Sequence, residues 1–116
     1  MPKMSSSLTA FFANKTVVVT GAGSGIGKAL AAVFAELECK LAICDIDETA
    51  LSATRNELQA THPQLCLYTN VLDVSKKADW HQYLASAAKH CGELDVLINN
   101  AGIEGSAQPV WATDDE

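Results

Sequence analysis

The chain has few basic residues and no long apolar run. Its 8 Lys and Arg stand against 14 Asp and Glu, so the formal net charge is −6. Without a basic patch to attract phosphate polymers, neither nucleic acid nor an anionic membrane surface is expected as a partner. No apolar run is long enough to span a bilayer, and the first 15 residues lack the apolar stretch of a secretory signal. We therefore expect a cytoplasmic location.

The cysteines also lack the spacing that would give them a chemical role. The 4 cysteines form no CxxC pair and no zinc-type pattern with histidine; they are Cys39, Cys44, Cys66 and Cys91. Cys44 and Cys66 lie in strand patterns, where a free cysteine packs as a small apolar side chain. We expect reduced, structural cysteines and no metal site.

The bulk composition is that of a soluble globular protein. Apolar residues make up 48% of the 116 residues and charged residues 19%. This length allows one domain at most and is small for an α/β fold.

A glycine-rich segment is the most informative feature that is present. Residues 20–27 read TGAGSGIG, directly after the apolar run 16–19 and before a helical pattern. Such a turn places unpaired N–H groups of a helix N-terminus where they suit a diphosphate. Gly21 would permit the turn, Gly25 would let phosphates approach the backbone, and Gly27 would let helix and strand pack closely. Asp45 ends the next apolar run, where an acidic residue accepts hydrogen bonds from an adenosine ribose.

The hydrophobic pattern predicts four strands separated by three helices. The strands cover about 16–20, 41–45, 65–70 (extended through 72) and 94–98. Asp47 is predicted to cap the second of these helices, Ser75 to cap the third, and Gly92 to end the third. The stripe facing the sheet is Ile26, Leu30, Val33, Phe34 and Leu37 in the first helix. In the third it is Trp80, Tyr83, Leu84, Ala87, Ala88 and Cys91.

These elements predict an α/β fold of parallel βαβ units with the strand order 3-2-1-4. This is part of a doubly wound Rossmann sheet with helices on both faces. Residues 1–13 are predicted to be a lead-in whose Leu8, Phe11 and Phe12 pack against the sheet. Residues 14–116 would then be an incomplete Rossmann domain that stops after the fourth strand.

Four ordered motifs together resemble the short-chain dehydrogenase/reductase family. They are TGAGSGIG at 20–27, Asp45, LDVS at 72–75 and NNAG at 99–102. The resemblance implies that the turn holds the pyrophosphate, Asp45 the ribose, and Asp73 with Val74 the adenine. It implies that Asn100, Ala101 and Gly102 line the cofactor and that Asn99 steadies the sheet. The full implied set is Gly21, Gly23, Ser24, Gly25, Ile26, Gly27, Asp45, Ile46, Asp73, Val74, Asn100, Ala101 and Gly102.

Charge favours NAD over NADP as the cofactor. The Asp45 carboxylate would repel the 2′-phosphate of NADP, and no cation stands at Ser24, Ile46 or Asp47 to attract it. Lys28 and Lys40 are the nearest cations along the chain, which leaves NADP as the less favoured alternative.

The family's catalytic pattern is missing from this sequence. Its members use a Ser and a Tyr-x-x-x-Lys motif, but Leu72 and Ala87 stand four residues after Tyr68 and Tyr83. No catalytic residue is therefore assigned. We expect the NAD-binding half of a longer oxidoreductase that transfers hydride between NAD and an alcohol or carbonyl. Two alternatives stay open: a truncated, non-catalytic product that binds nucleotide or pairs with full-length subunits, and a domain for another adenine ligand such as S-adenosylmethionine.

Overall fold

A computed structural model of the chain describes residues 6–100. Helices and strands alternate along it. The helices are α1 (Ser6–Phe12), α2 (Gly25–Glu36), α3 (Glu48–Thr61) and α4 (Lys77–Cys91). The strands are β1 (Thr16–Thr20), β2 (Lys40–Asp45), β3 (Leu67–Val71) and β4 (Val96–Ile98).

The four strands form one parallel sheet in the order β3-β2-β1-β4. Val18 of β1 pairs with Ala42 of β2 on one side and with Leu97 of β4 on the other. This order confirms the predicted α/β class and the Rossmann-type strand order. All the carboxyl ends therefore lie at one edge of the sheet, the edge at which open α/β sheets bind ligands.

Helices cover both faces of the sheet. On one face, alternate residues of β1 and β2 pack with apolar residues of α2 and α3. On the other face, Val18, Ala42 and Cys44 pack beneath the side chains of α4, Trp80 and Tyr83 among them. The residues predicted to form the buried stripe of α4 are buried against this second face, except Ala88, which is only half-buried. Burial of every residue of β1 shows that the central strand is covered on both sides.

The predicted stripe of α2 was wrong in part. The buried residues of this helix are Gly27, Ala31 and Ala35, which recur every fourth position on one face. Ile26 and Val33 are exposed instead. Small side chains let the helix axis lie close to the sheet, so the larger apolar residues are displaced to the flanks of the contact.

The lead-in forms helix α1, and only part of it packs as predicted. Phe12 contacts Phe34 of α2 with ring centroids 5.7 Å apart. Leu8 and Phe11 are exposed, Phe11 to 61%. A seven-residue helix presents one narrow face to the core, so only Phe12 of these three side chains reaches it.

The element boundaries follow the prediction to within two residues. β3 begins at Leu67, so Cys66 lies just before the strand, and β4 begins at Val96. Asp47 caps α3 as predicted, accepting a hydrogen bond from the Ala50 N–H at 3.1 Å. Gly92 ends α4 with a φ of +100°.

Ser75 does not cap α4, because Lys76 occupies the N-cap position. The Ser75 hydroxyl instead donates to the Asp73 carboxylate at 2.6 Å. Within the described part of the chain, no helix has the length and hydropathy needed to cross a membrane.

Candidate functional site

The glycine-rich turn leads from the carboxyl end of β1 into the first turn of α2. Gly21 and Gly25 have φ values of +63° and +62°, a region that side chains with a Cβ rarely adopt. Ser24 is the exposed N-cap residue of α2, and its side chain makes no capping hydrogen bond. The first turn of the helix carries no acidic residue. Its N–H groups and partial positive charge therefore face an exposed, uncapped surface that suits an anion.

Gly27 fixes how closely α2 approaches the turn. A Cβ at this position would lie 2.1 Å from the Gly21 carbonyl oxygen and 2.7 Å from the Asn100 amide nitrogen. That nitrogen donates to the same Gly21 oxygen at 3.1 Å. The end of β4 is thereby tied to the turn at a point where only glycine fits.

Asn100, and not Asn99, makes this tie. Asn100 is fully buried, whereas Asn99 is exposed, so the steadying role expected of Asn99 falls to its neighbour. The sequence pattern cannot distinguish two adjacent asparagines, because their orientation depends on where β4 ends. The Asn100 Oδ1 atom is buried and has no hydrogen-bond partner among residues 6–100. A buried acceptor is thus left at the carboxyl end of β4.

The carboxylate of Asp45 is held against the turn by two backbone donors. The Gly23 N–H donates to Oδ2 at 2.7 Å, and the Asp47 N–H donates to Oδ1 at 2.9 Å. A Cβ on Gly23 would lie 2.8 Å from Oδ2, so glycine is required for this approach. Since a carboxylate has about four acceptor sites, about two remain for a ligand. Asp45 is half-buried, and Ile46 beyond it is exposed.

The carboxyl end of β3 adds a second acid. The Ser75 hydroxyl and the Ser75 N–H both donate to the Asp73 carboxylate, and these hydrogen bonds lower the pKa of Asp73. Asp73 also lines a cavity of about 280 Å³ with Asn70, Asp79 and Tyr83. The Val74 side chain packs in the core under α4, so only its backbone is left to contact a ligand.

The structure brings most of the predicted residues together through direct contacts. They fall into two contacting groups, Gly21 with Gly27 and Asn100, and Gly23 with Asp45, which the turn joins along the chain into one set. Ser24, Gly25 and Ile26 form the exposed rim of that set at the start of α2. Ala101 and Gly102 lie outside the described residues.

Sequence reasoning missed one residue, Thr54 of α3. Its buried hydroxyl donates to the Gly23 carbonyl oxygen at 3.3 Å. The signal was present: Thr54 stands between Leu51 and Leu58 on the buried face of α3. A polar residue in an apolar stripe indicates a buried hydrogen bond.

Comparisons with known proteins agree with this geometry. The sequence model of the family described as short chain dehydrogenase matches residues 15–116. Levodione reductase from Leifsonia aquatica is 36% identical over 104 residues, covering 90% of this chain and 39% of the relative. The chain thus spans well under half the length of that relative.

Two solved structures are similar in fold. One is a short-chain dehydrogenase/reductase from Burkholderia phymatum in complex with NAD, with a TM-score of 0.70 and 36% identity over 74% of this chain and 30% of the other. The second is an NADPH-bound short-chain oxidoreductase from Pseudomonas aeruginosa PAO1 with an atypical catalytic center. Its TM-score is 0.71 at 26% identity, over 74% of this chain and 34% of that one. The chain belongs to the short-chain dehydrogenase/reductase family of oxidoreductases.

Proposed function

We propose that this chain binds NAD at the carboxyl ends of its strands, as the cofactor-binding part of an oxidoreductase. The observation that carries the proposal is the Asp45 carboxylate, fixed beside the uncapped N-terminus of α2 by the Gly23 and Asp47 N–H groups. One position for a diphosphate and one for a ribose are thereby adjacent.

The diphosphate would lie on the first turn of α2. The N–H groups there point out of the helix, and the positive end of the helix dipole favours negative charge. Gly25 and the exposed Ser24 leave the backbone open on this side. No carboxylate in the first turn opposes a phosphate.

The adenosine ribose would lie on Asp45. The two acceptor sites of its carboxylate that the backbone does not use can each take a ribose hydroxyl. Asp73 and the backbone of Val74 follow on the neighbouring strand end and would face the adenine. Asn100, whose buried side chain holds the turn, would line the cofactor through its backbone at the end of β4, together with Ala101 and Gly102.

Charge near Asp45 supports NAD rather than NADP. Two N–H bonds hold the carboxylate in place, so it cannot turn away from a 2′-phosphate, and the two anions would repel. Among the described residues, neither of the two nearest lysines along the chain forms an ion pair with Asp45. Lys28 pairs with Glu57 at 3.2 Å, and Lys40 begins β2 at the end of the strand opposite Asp45.

The whole protein would transfer hydride between NAD and an alcohol or carbonyl substrate. The nicotinamide ring supplies the hydride chemistry when the cofactor is bound. The described residues of this chain bind and orient the cofactor: the turn fixes the diphosphate, Asp45 fixes the ribose, and Asn100 ties β4 to the turn. Neither tyrosine has a lysine four residues later, so we assign no proton-transfer residue here.

Titration calorimetry with NAD and NADP tests the proposal. We expect the wild-type chain to bind NAD at least tenfold more tightly than NADP, a difference of about 1.4 kcal/mol. Asp45→Asn removes the charge but keeps the side-chain size. It should lower the ratio of NAD to NADP affinity by about tenfold, because the repulsion of the 2′-phosphate is lost.

Asp47→Asn is the matched control, because it removes the same charge two residues away and keeps a residue that caps helices well. It should leave the affinity ratio unchanged within about twofold. Equal affinity of the wild-type chain for both cofactors, or binding of neither at millimolar concentration, would contradict the proposal.

A further inference from the structure

Two cysteines meet at the edge of the sheet opposite the candidate cofactor site. Cys66 immediately precedes β3, and Cys91 is the last residue of α4. Their sulfur atoms lie 3.6 Å apart. Both are free thiols, and neither belongs to the turn or to the strand ends described above.

The surrounding hydrogen bonds hold the pair in place through β2. The Leu41 N–H donates to the Cys66 carbonyl oxygen at 2.9 Å, and the Cys91 thiol points to the Leu41 carbonyl oxygen at 3.6 Å. Both cysteines are thus anchored on the same residue of the sheet. The sulfurs need to approach by only about 1.5 Å to reach the length of a disulfide bond.

The two thiols differ in access. Cys91 is buried, whereas Cys66 is half-buried and lines a cavity of about 480 Å³ together with Lys40, His62 and the more deeply buried Cys39. Burial and the neighbouring Cys66 thiol raise the pKa of Cys91 to about 12. A small oxidant can therefore reach Cys66 first, with Cys91 in position behind it as the second thiol.

We propose that Cys66 and Cys91 are a redox modification site, oxidised by peroxide to an intramolecular disulfide that joins the start of β3 to the end of α4. The proposal rests on the 3.6 Å separation of the two sulfurs and on the opening of Cys66 to the cavity. It is independent of which nucleotide the chain binds.

The chemistry takes two steps. The Cys66 sulfur attacks one oxygen of hydrogen peroxide and loses its proton; the O–O bond breaks, and the departing hydroxide takes up that proton to become water. The product is a sulfenic acid on Cys66. The Cys91 sulfur then attacks the Cys66 sulfur, the S–O bond breaks, and the hydroxide leaves with the Cys91 proton as a second water. Two thiols lose two electrons and two protons, and one peroxide becomes two waters.

Peptide mapping after oxidation tests the proposal. The full chain is treated with an equimolar amount of hydrogen peroxide, the remaining thiols are alkylated, and trypsin releases residues 56–76 with Cys66 and 90–116 with Cys91. We expect these two peptides to be recovered as one disulfide-linked species in a monomeric chain. Reduction should separate them again.

Cys39 and Cys44 are internal controls, since trypsin places them in separate peptides, 29–40 and 41–55. Both cysteines should be recovered in alkylated form from the oxidised wild-type chain. Cys66→Ser, at the half-buried position, should remove the linked species while the variant stays folded by circular dichroism.

Three results would overturn the proposal. They are sulfinic or sulfonic acid on Cys66 without a link to Cys91, a disulfide that involves Cys39 or Cys44, or linkage only between separate chains. NAD affinity should be the same in the reduced and oxidised chain, because the pair lies at the opposite edge of the sheet from Asp45. The site and the proposed cofactor function therefore fail or succeed independently.

Discussion

At the scale of single residues, Gly27 is the position where the sequence has least freedom. Gly27→Ala would place a methyl group 2.1 Å from the Gly21 oxygen. Since the atom in the way is backbone, and the Asn100 side chain lies close beside it, α2 would have to move away from the turn. We expect the free energy of unfolding to fall by about 2–3 kcal/mol, the upper part of the usual range for overpacked sites. Urea denaturation measures it.

Ala32→Ser is the matched control for Gly27→Ala. Ala32 lies on the exposed side of the same helix, so the change should cost no more than about 0.5 kcal/mol. If both variants were equally stable, the close approach of α2 to the turn would not be required.

Asp73 gives a prediction about pH. Its folded-state pKa lies below the usual value because the Ser75 hydroxyl and N–H stabilise the charged carboxylate. A lowered folded pKa contributes stability above the unfolded pKa of about 4 and loses it as the pH falls through the folded value. Ser75→Ala should therefore destabilise the chain at pH 7, and the gap to wild type should narrow as the pH falls below about 4.

Urea denaturation of both proteins at pH 7 and pH 3 checks the Asp73 prediction. Ser52→Ala, a half-buried serine on α3, controls for the loss of a hydroxyl. A gap that widens in acid would contradict the argument.

The residues of the site were predictable at positions where the local geometry allows only one type of residue. The turn glycines and Asp45 follow from spacing alone, and in the structure Gly23 contacts the Asp45 carboxylate. The sequence did not show which of Asn99 and Asn100 is buried and bonds the turn, because that depends on the residue at which β4 ends. Thr54 was missed although its place between Leu51 and Leu58 was a signal, because its hydrogen-bond partner depends on the packing of α3 against the turn.

At the scale of the elements, the N-termini of α2 and α3 are built differently. Asp47 caps α3 with a side-chain hydrogen bond, whereas Ser24 at the same position of α2 makes none. Asp47→Ala should therefore cost about 1 kcal/mol of stability, and Ser24→Ala less than about 0.5 kcal/mol. Thermal denaturation of the two variants gives the comparison. Equal losses would mean that the hydroxyl of Ser24 caps α2 in solution.

The sequence predicted where the helices form better than it predicted which side of each helix is buried against the sheet. The stripe of α4 was read well, because Trp80, Tyr83 and Leu84 are large and all face the sheet. The stripe of α2 was misread, since hydropathy ranks Ile26 and Val33 above the alanines that are in fact buried. Where a helix packs closely against a parallel sheet, small side chains are buried. A periodic pattern of hydrophobicity does not report side-chain size, so it could not identify them.

At the scale of the whole molecule, the fold followed from the alternation of strand and helix. Right-handed crossovers leave only a handful of arrangements for four such strands, and the observed order is the one predicted for a Rossmann sheet. The exact strand lengths were not predictable. Leu65 and Leu94 are apolar and were included in the predicted strands, but the structure begins these strands at Leu67 and Val96.

Cofactor binding should stabilise the whole chain. A ligand that binds only the folded state adds about 2.7 kcal/mol at a concentration 100 times its Kd. For a chain of this size we expect NAD to raise the unfolding midpoint by about 10 °C. Differential scanning fluorimetry with NAD measures this rise. The control is Asp45→Asn, which should bind NAD more weakly because the proposed ribose ligand is altered. An unchanged midpoint at saturating NAD would contradict binding to the folded state.

Amide chemical-shift mapping of the labelled chain during titration with NAD tests whether the cofactor binds at the carboxyl ends of the strands. We predict the largest shifts at residues 21–27 and Asp45, smaller shifts at Asp73 and Asn100, and none near Cys66 and Cys91. Shifts confined to the opposite edge of the sheet, or none at millimolar NAD, would contradict it.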